Sequence, residues 1–253
     1  MLIIIFAWFG CNVRKSKQAQ SCPQWDFSQE EISYSFYFAS KNLDISHMVP
    51  QGSSDSTKNY ITGRQMIRIR PKNQDKANIT FLPGSFKSIT LNMDNTIIDS
   101  TSFKGNRYFE NLNKDGSFEQ PYNYFLINVL FPILKCDSKN RLQDREDTSF
   151  PFTMDGSGTP AEGKIIYSYE ERFDGVDNLV FTSEIQISSP KTTGEDSRAR
   201  MTIQGRGSYT FSKTTSRYEY CEIHLIMEYE FTSQDKNTVN FTRTDATYKI
   251  KHY

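Results

Sequence analysis

The sequence predicts an all-β fold with a minor α component: a long antiparallel meander forming a curved sheet or half-barrel, with one short apolar helix. Three observations predict it. Aromatic residues make up 14% of the 253-residue chain, with 19 Phe and 14 Tyr, and aromatic and β-branched side chains suit a pleated, half-buried surface. Apolar and polar residues alternate at period two through much of the chain, the pattern of sheets with one packed face and one wet face. Turn-forming clusters separate the alternating runs.

The strands follow in order. Ile32, Tyr34, Phe36 and Phe38 alternate with Ser33, Ser35 and Tyr37. Ile67 and Ile69 alternate with Arg68 and Arg70, and Ala77, Ile79 and Phe81 form a set closed by Pro83 and Gly84. Ile89, Leu91 and Met93 predict another strand. From residue 163 to 253 the chain reads as four or five antiparallel strands in sequence. They carry Ile165, Tyr167 and Tyr169; Leu179, Phe181, Ile185 and Ile187; Met201, Ile203, Tyr209 and Phe211; and Ala246, Tyr248 and Ile250. The clearest is "YCEIHLIMEYEF": Cys221, Ile223, Leu225, Met227, Tyr229 and Phe231 share one face, and Glu222, His224, Glu228 and Glu230 mark the other. Turns are expected at 173–178, 188–197 and 232–237.

One segment breaks the alternation. "PYNYFLINVLFPIL" (residues 121–134) is apolar on nearly every side. A short buried helix over about residues 122–130, stopped by Pro132, competes with a doubly buried strand. Polar loops flank it. The expected organisation is therefore a β domain over 29–253, with halves 29–120 and 160–253 joined by the apolar segment 121–134.

The chain opens "MLIIIFAWFGCNVRKSK". The apolar run over residues 2–9 is about half of the ~20 residues a spanning helix requires. A first β-strand would have to be buried on both faces. A cleaved secretory segment fits best: a short apolar core, a small residue at the cut, then polar residues. Only Met1 precedes the core, so an upstream in-frame start that adds basic residues is expected.

"AWFGC" (residues 7–11) resembles the lipobox of bacterial lipoproteins. In that family the cysteine thiol accepts a diacylglycerol and the chain is cut just before it. Gly10 matches the small residue before the cysteine. Ala7, Trp8 and Phe9 depart from the usual Leu-Ala/Ser pattern, and looser lipoboxes are familiar in spirochaetes. The resemblance implies a signal peptide over 1–10, lipid on Cys11 and a polar tether over 11–28. A membrane attachment through the lipid follows, since two or three acyl chains anchor stably where one is marginal. Asn12 in the second mature position, rather than Asp, implies the outer membrane.

With Cys11 lipidated, Cys22, Cys136 and Cys221 remain, enough for at most one internal disulfide. A Cys22–Cys136 bridge is one hypothesis that spacing does not establish. Cys221 reads as a small buried hydrophobe. His47, His224 and His252 are far apart. Glu222, His224 and a neighbour form a possible metal triplet, against which stands a simple solvated strand face. "GRG" at 205–207 lacks the rest of a dinucleotide fingerprint and is placed between strands. "DGSG" at 155–158 is turn chemistry, and the acidic stretch 144–155 reads as a solvated loop. No cofactor is expected.

Net charge is zero, from 30 basic and 30 acidic side chains, so no electrostatic attraction to nucleic acid is expected. No nucleophile–base pair or phosphate loop is visible, so no enzymatic activity is expected. Two binding readings remain. The first is a lipid-anchored module whose aromatic inner face holds an apolar ligand, lined by Phe36, Phe38, Tyr167, Tyr169, Phe181, Tyr209, Tyr229 and Phe231. Aromatics at alternating strand positions are also what an ordinary core looks like. The second is a surface-exposed interaction protein whose polar faces, with Arg68, Arg70, Glu222, Glu228 and Glu230, meet an envelope or host protein. The meander, with "FPIL" before Gly-initiated strands, resembles the curved half-barrels of the periplasmic lipoprotein carriers, which implies a curved open sheet.

Overall fold

A computed structural model describes residues 22–28, 31–48, 53–103, 107–118, 129–138, 142–148, 162–170, 178–189, 192–193, 198–232 and 238–253. Cys11, the expected signal peptide over 1–10 and residues 11–21 of the expected tether over 11–28 lie outside them. So do most of the predicted 122–130 helix and the "DGSG" turn. At the end of that predicted helix, Val129 and Leu130 have helical backbone, and Pro132 follows. Residues 22–28 are not tether: Trp25 and Phe27 are buried in the core, and the Trp25 N–H donates to the Lys114 carbonyl at 2.8 Å.

The strands are β1 (Ile32–Met48), β2 (Ser53–Pro71), β3 (Lys76–Phe81), β4 (Ser85–Leu91), β5 (Ile97–Phe103), β6 (Arg107–Asn113), β7 (Arg145–Asp147), β8 (Glu162–Glu170), β9 (Asn178–Ser188), β10 (Thr192–Thr193), β11 (Arg198–Ser212), β12 (Arg217–Thr232) and β13 (Thr238–His252). They form one curved, open antiparallel sheet. Its main path runs β5-β4-β2-β1-β13-β12-β11-β9-β8-β7. The two β halves join edge to edge where β1 pairs β13, with Phe36 opposite Ile250 and Phe38 opposite Tyr248.

The sheet forks along β2. Residues 58–64 pair β4, and residues 67–71 pair β3. At the branch the Leu82 N–H donates to the Met66 carbonyl at 2.8 Å, and the Gln65 amide donates to the Leu82 carbonyl. Pro83 follows and has no N–H to continue either ladder.

The inner face carries the core. Ile32, Tyr34 and Phe36 of β1, Ile67 and Ile69 of β2, Cys221, Ile223 and Leu225 of β12, and Ile250 of β13 are all buried. Trp25, Leu112, Val129, Leu130, Phe131 and Leu134 pack onto them. Tyrosine hydroxyls pin this covering layer. Tyr209 donates to the Val129 carbonyl at 2.9 Å, and Tyr218 to the Pro132 carbonyl. Backbone groups in a non-strand segment thereby find partners in the interior, where an orphan would cost about 1–3 kcal/mol. Cys22 and Cys136 form a disulfide, with Cα atoms 5.8 Å apart, that ties residues 22–28 to residues 129–138. Cys221 is a free, buried thiol.

Three further expectations are corrected. "GRG" lies inside β11 rather than between strands, because Gly205 and Gly207 sit where neighbouring side chains cross the strand. A Cβ on Gly207 would stand 2.6 Å from Ser183 Oγ and closer still to the Tyr209 hydroxyl. Met93 falls after β4 in the turn to β5, 56% exposed, where the Asn92 side chain accepts from the Thr96 N–H at 2.9 Å. Within the supposed acidic loop, residues 145–147 form β7 on the edge of β8. There Arg145 turns inward, 4.3 Å above the Tyr167 ring, and pairs Asp147 at 2.7 Å.

Candidate functional site

The long strands outrun the core. Along β1 the apolar positions change phase after Ser40. Tyr34 and Phe36 face inward, but beyond Ser40 the inward positions are Asn42, Asp44 and Ser46, and Leu43 and Ile45 face outward. β13 inverts in the same way. Ala246, Tyr248 and Ile250 face inward, then Thr244, Thr242 and Asn240, with Val239 and Phe241 outward. β12 does not invert: Met227, Tyr229 and Phe231 continue its inner face, and Met201 of β11 sits opposite Tyr229.

The projecting end of the sheet is therefore apolar on both faces, on different strands. Its inner face is divided. Met201, Met227, Tyr229 and Phe231 make an apolar side, and all four are only partly buried. Thr244, Thr242, Asn240, Asn42, Asp44, Ser46 and Asn59 make a polar side of hydroxyls, amides and one carboxylate. Within the polar side, Thr242 Oγ1 donates to Asp44 at 2.7 Å and Ser46 Oγ to Asn240 Oδ1 at 2.8 Å. Ser88 Oγ donates to Asn59 Oδ1 at 3.0 Å. Ser40 Oγ and Asn42 Oδ1 are buried without a hydrogen-bond partner.

The eight aromatic positions expected to line a ligand site separate into three groups. Phe36, Tyr167, Phe181 and Tyr209 are sealed in the core at 5%, 2%, 0% and 0% exposure. Phe181 stacks on Tyr209 with ring centroids 4.7 Å apart. Phe38 and Tyr169 are partly buried at the core margin, and Phe38 stacks on Tyr248 at 5.0 Å. Tyr229 and Phe231 alone reach the projecting end. The alternation marked all eight because it is the same signal for a core and for a binding face. It missed Met201 as a site residue and missed Leu43, Ile45, Val239 and Phe241. The one legible signal for the last four was the phase change in "KNLDISHM" and "TVNFTRT".

The outer face carries the charged groups. Arg68 and Arg70 both pair Glu31, and Glu228 pairs Arg243 at 3.0 Å. Glu222 is the hub of a network. It accepts from Lys249 at 2.8 Å, from His224 Nε2 at 3.0 Å and from the Tyr220 hydroxyl. Lys249 and these hydrogen bonds lower its carboxyl to about 2, while burial and the Glu222 contact push the Tyr220 hydroxyl up to about 12. His224 Nδ1 is 3.0 Å from Thr247 Oγ1. Among the described residues no set of three or more His, Cys, Asp and Glu converges as metal ligands. Beside the network lies an outer groove of about 650 Å³, lined by Ser35, Tyr37, Arg64, Met66, Tyr220 and Lys251 among others. Neither a protein-family model nor a curated protein matches this chain.

Proposed function

We propose that the chain is a non-catalytic, lipid-anchored envelope protein that binds an apolar ligand or lipid on the projecting end of its sheet. One observation carries the binding part. Beyond the core the inner face continues as Met201, Met227, Tyr229 and Phe231, beside a polar row of hydroxyls, amides and the Asp44 carboxylate. Flexible thioethers and aromatic rings accommodate apolar chains of varied shape. The adjoining polar row, with Thr244, Thr242 and Asn240 partly open to solvent, suits a ligand with one polar end.

Two observations support the address. "AWFGC" resembles a lipobox, and the Cys22–Cys136 bridge suits an oxidising compartment outside the cytosol. The outer membrane is the proposed location.

The test is native mass spectrometry of the protein purified from membranes, beside Tyr229→Lys and Cys11→Ala. A copurified lipid lost in Tyr229→Lys supports the binding site. A mass of the chain from Cys11 plus diacylglycerol, absent in Cys11→Ala, supports the anchor. A ligand-free protein, or a ligand retained by Tyr229→Lys, overturns the binding site. An unmodified chain that keeps residues 1–10 overturns the anchor.

A second reading, contact with a protein partner, draws on the outer groove. Arg64 and Lys251 line it with no ion pair to an acidic side chain among the described residues.

A further inference from the structure

The two ends of the main sheet path are built differently. One end is β7, three residues long, with the sequence Arg-Glu-Asp and its arginine turned into the protein. Short edges, charges and inward-turned charged residues are the ordinary means by which a sheet avoids pairing with other chains. The other end is β5, "IIDSTSF". It has seven residues, no lysine, arginine or proline, and one charge, on Asp99. It pairs β4 along one edge, and among the described residues nothing pairs the other.

The exposure at β5 is unusual in its chemistry. Ile97 and Ile98 are 62% and 56% exposed, and every residue over 97–102 is exposed. An isoleucine pair on an open strand edge is a template for another strand.

We propose that β5 is a self-association edge. Two copies of the chain pair β5 with β5 antiparallel about a two-fold axis at Ser100, continuing one sheet through both.

The occupant follows from the sequence of the edge. With Ser100 on the axis, Asp99 of one copy lies opposite Thr101 of the other, and Ile98 opposite Ser102. The single carboxylate therefore never faces its own copy, and like charges directly opposite would be destabilising. A symmetric closed pair needs such a self-complementary patch. The pairing consumes the open edge of both copies at once, so the assembly stops at two.

The register is testable in the full chain in its membrane. Directly opposed residues of an antiparallel pair have Cα atoms about 4.5–5.5 Å apart, within the roughly 4.4–6.8 Å span of a disulfide. Ser100→Cys is therefore expected to cross-link two chains under mild oxidation, giving a band at twice the chain mass on a non-reducing gel. Ser102→Cys and Asn73→Cys serve as controls. The first sits on the edge but faces Ile98, and the second sits in an exposed turn. Neither is expected to cross-link to itself. Ile98→Lys added to Ser100→Cys is expected to abolish the band, with the thermal midpoint unchanged as the check on folding. The proposal is overturned if Ser100→Cys gives no more dimer than Asn73→Cys, or if Ser102→Cys cross-links as readily. A product of any mass other than twice the chain also overturns it, and would assign the edge to a different protein.

Discussion

The Tyr209 side chain lies back along its own strand across Gly207, and its hydroxyl bridges Ser183 Oγ at 3.1 Å and the Val129 carbonyl at 2.9 Å. One residue without a side chain thus makes room for the bond that holds the covering layer to the sheet. Gly207→Ala is expected to drive a methyl group into both the hydroxyl and Ser183. The loss, about 1–3 kcal/mol as for other overpacked cores, is read as a lower urea midpoint at unchanged slope. Tyr209→Phe removes the bridge without the clash and is expected to cost about 1–3 kcal/mol through the unpartnered carbonyl.

Reduction of Cys22–Cys136 is expected to lower stability. The bridge spans a sequence separation of 114 residues, and a native disulfide typically contributes about 2–5 kcal/mol. Denaturation of Cys136→Ala beside the parent measures it. Trp25 lies three residues from Cys22 and is 2% exposed, so its emission is expected to shift to longer wavelength at lower denaturant in the variant.

Glu222 sets an acid-side dependence. Its carboxyl falls from an ordinary value near 4.5 to about 2 in the folded chain, chiefly through Lys249. A group with a depressed folded value stabilises above its unfolded value and loses that contribution as pH falls through the folded one. The loss is expected between about pH 4.5 and pH 2. The site is partly open to solvent, where screening holds such pairs to about 1 kcal/mol or less. Urea titrations at the two ends of this window, on the parent and on Glu222→Gln, are expected to show a shallower acid slope in the variant.

The buried tyrosines set an alkaline limit. Burial pushes the hydroxyls of Tyr34, Tyr209 and Tyr218 well above the ordinary value of 10.0. Groups with raised folded values stabilise below the unfolded value and lose that contribution as pH rises past it. Tyrosinate absorbance is expected to rise in two stages above about pH 10. The second stage is expected to coincide with loss of far-ultraviolet strand signal.

Core and projecting end are expected to respond differently to substitution. Phe181→Ala empties a site at 0% exposure and should cost about 3–5 kcal/mol. Tyr229→Lys, on a partly buried position, should stay within about 0.5 kcal/mol of the parent. Thermal midpoints of the two variants check this. A Tyr229→Lys protein as damaged as Phe181→Ala would make Tyr229 a core residue and remove it from the proposed binding face.

The sequence was legible where the sheet covers its core. The first half of β1, most of β9 and most of β12 alternate because one face must be dry. The first part of β2 and all of β5 carried no such signal, since their inward positions include Thr57, Asn59, Asp99 and Thr101. No core lies beneath them to demand apolar residues. Site residues were obscured for a related reason. Phe181 and Tyr229 occupy equivalent phases of their strands, and only the covering layer over residues 129–134 decides that one is sealed and the other is not. The cysteine pairing was invisible in the spacing, because the two segments meet only as they cross the folded sheet.

The placement of β1 between β2 and β13 also dictates an order of assembly. β1 and β2 form a local hairpin that can close once residue 71 has been made. The second edge of β1 waits for β13, residues 238–252, and Ser35 meets Lys251 across a separation of 216 positions. Sheets dominated by such distant contacts fold slowly, over about milliseconds to seconds. Until β13 arrives, the middle of the future sheet is two open edges, and β13 is the bolt that joins them. A nascent chain that stalls or is clipped before residue 238 therefore loses the seam between its halves, while an equally short loss at β7 would trim only a rim.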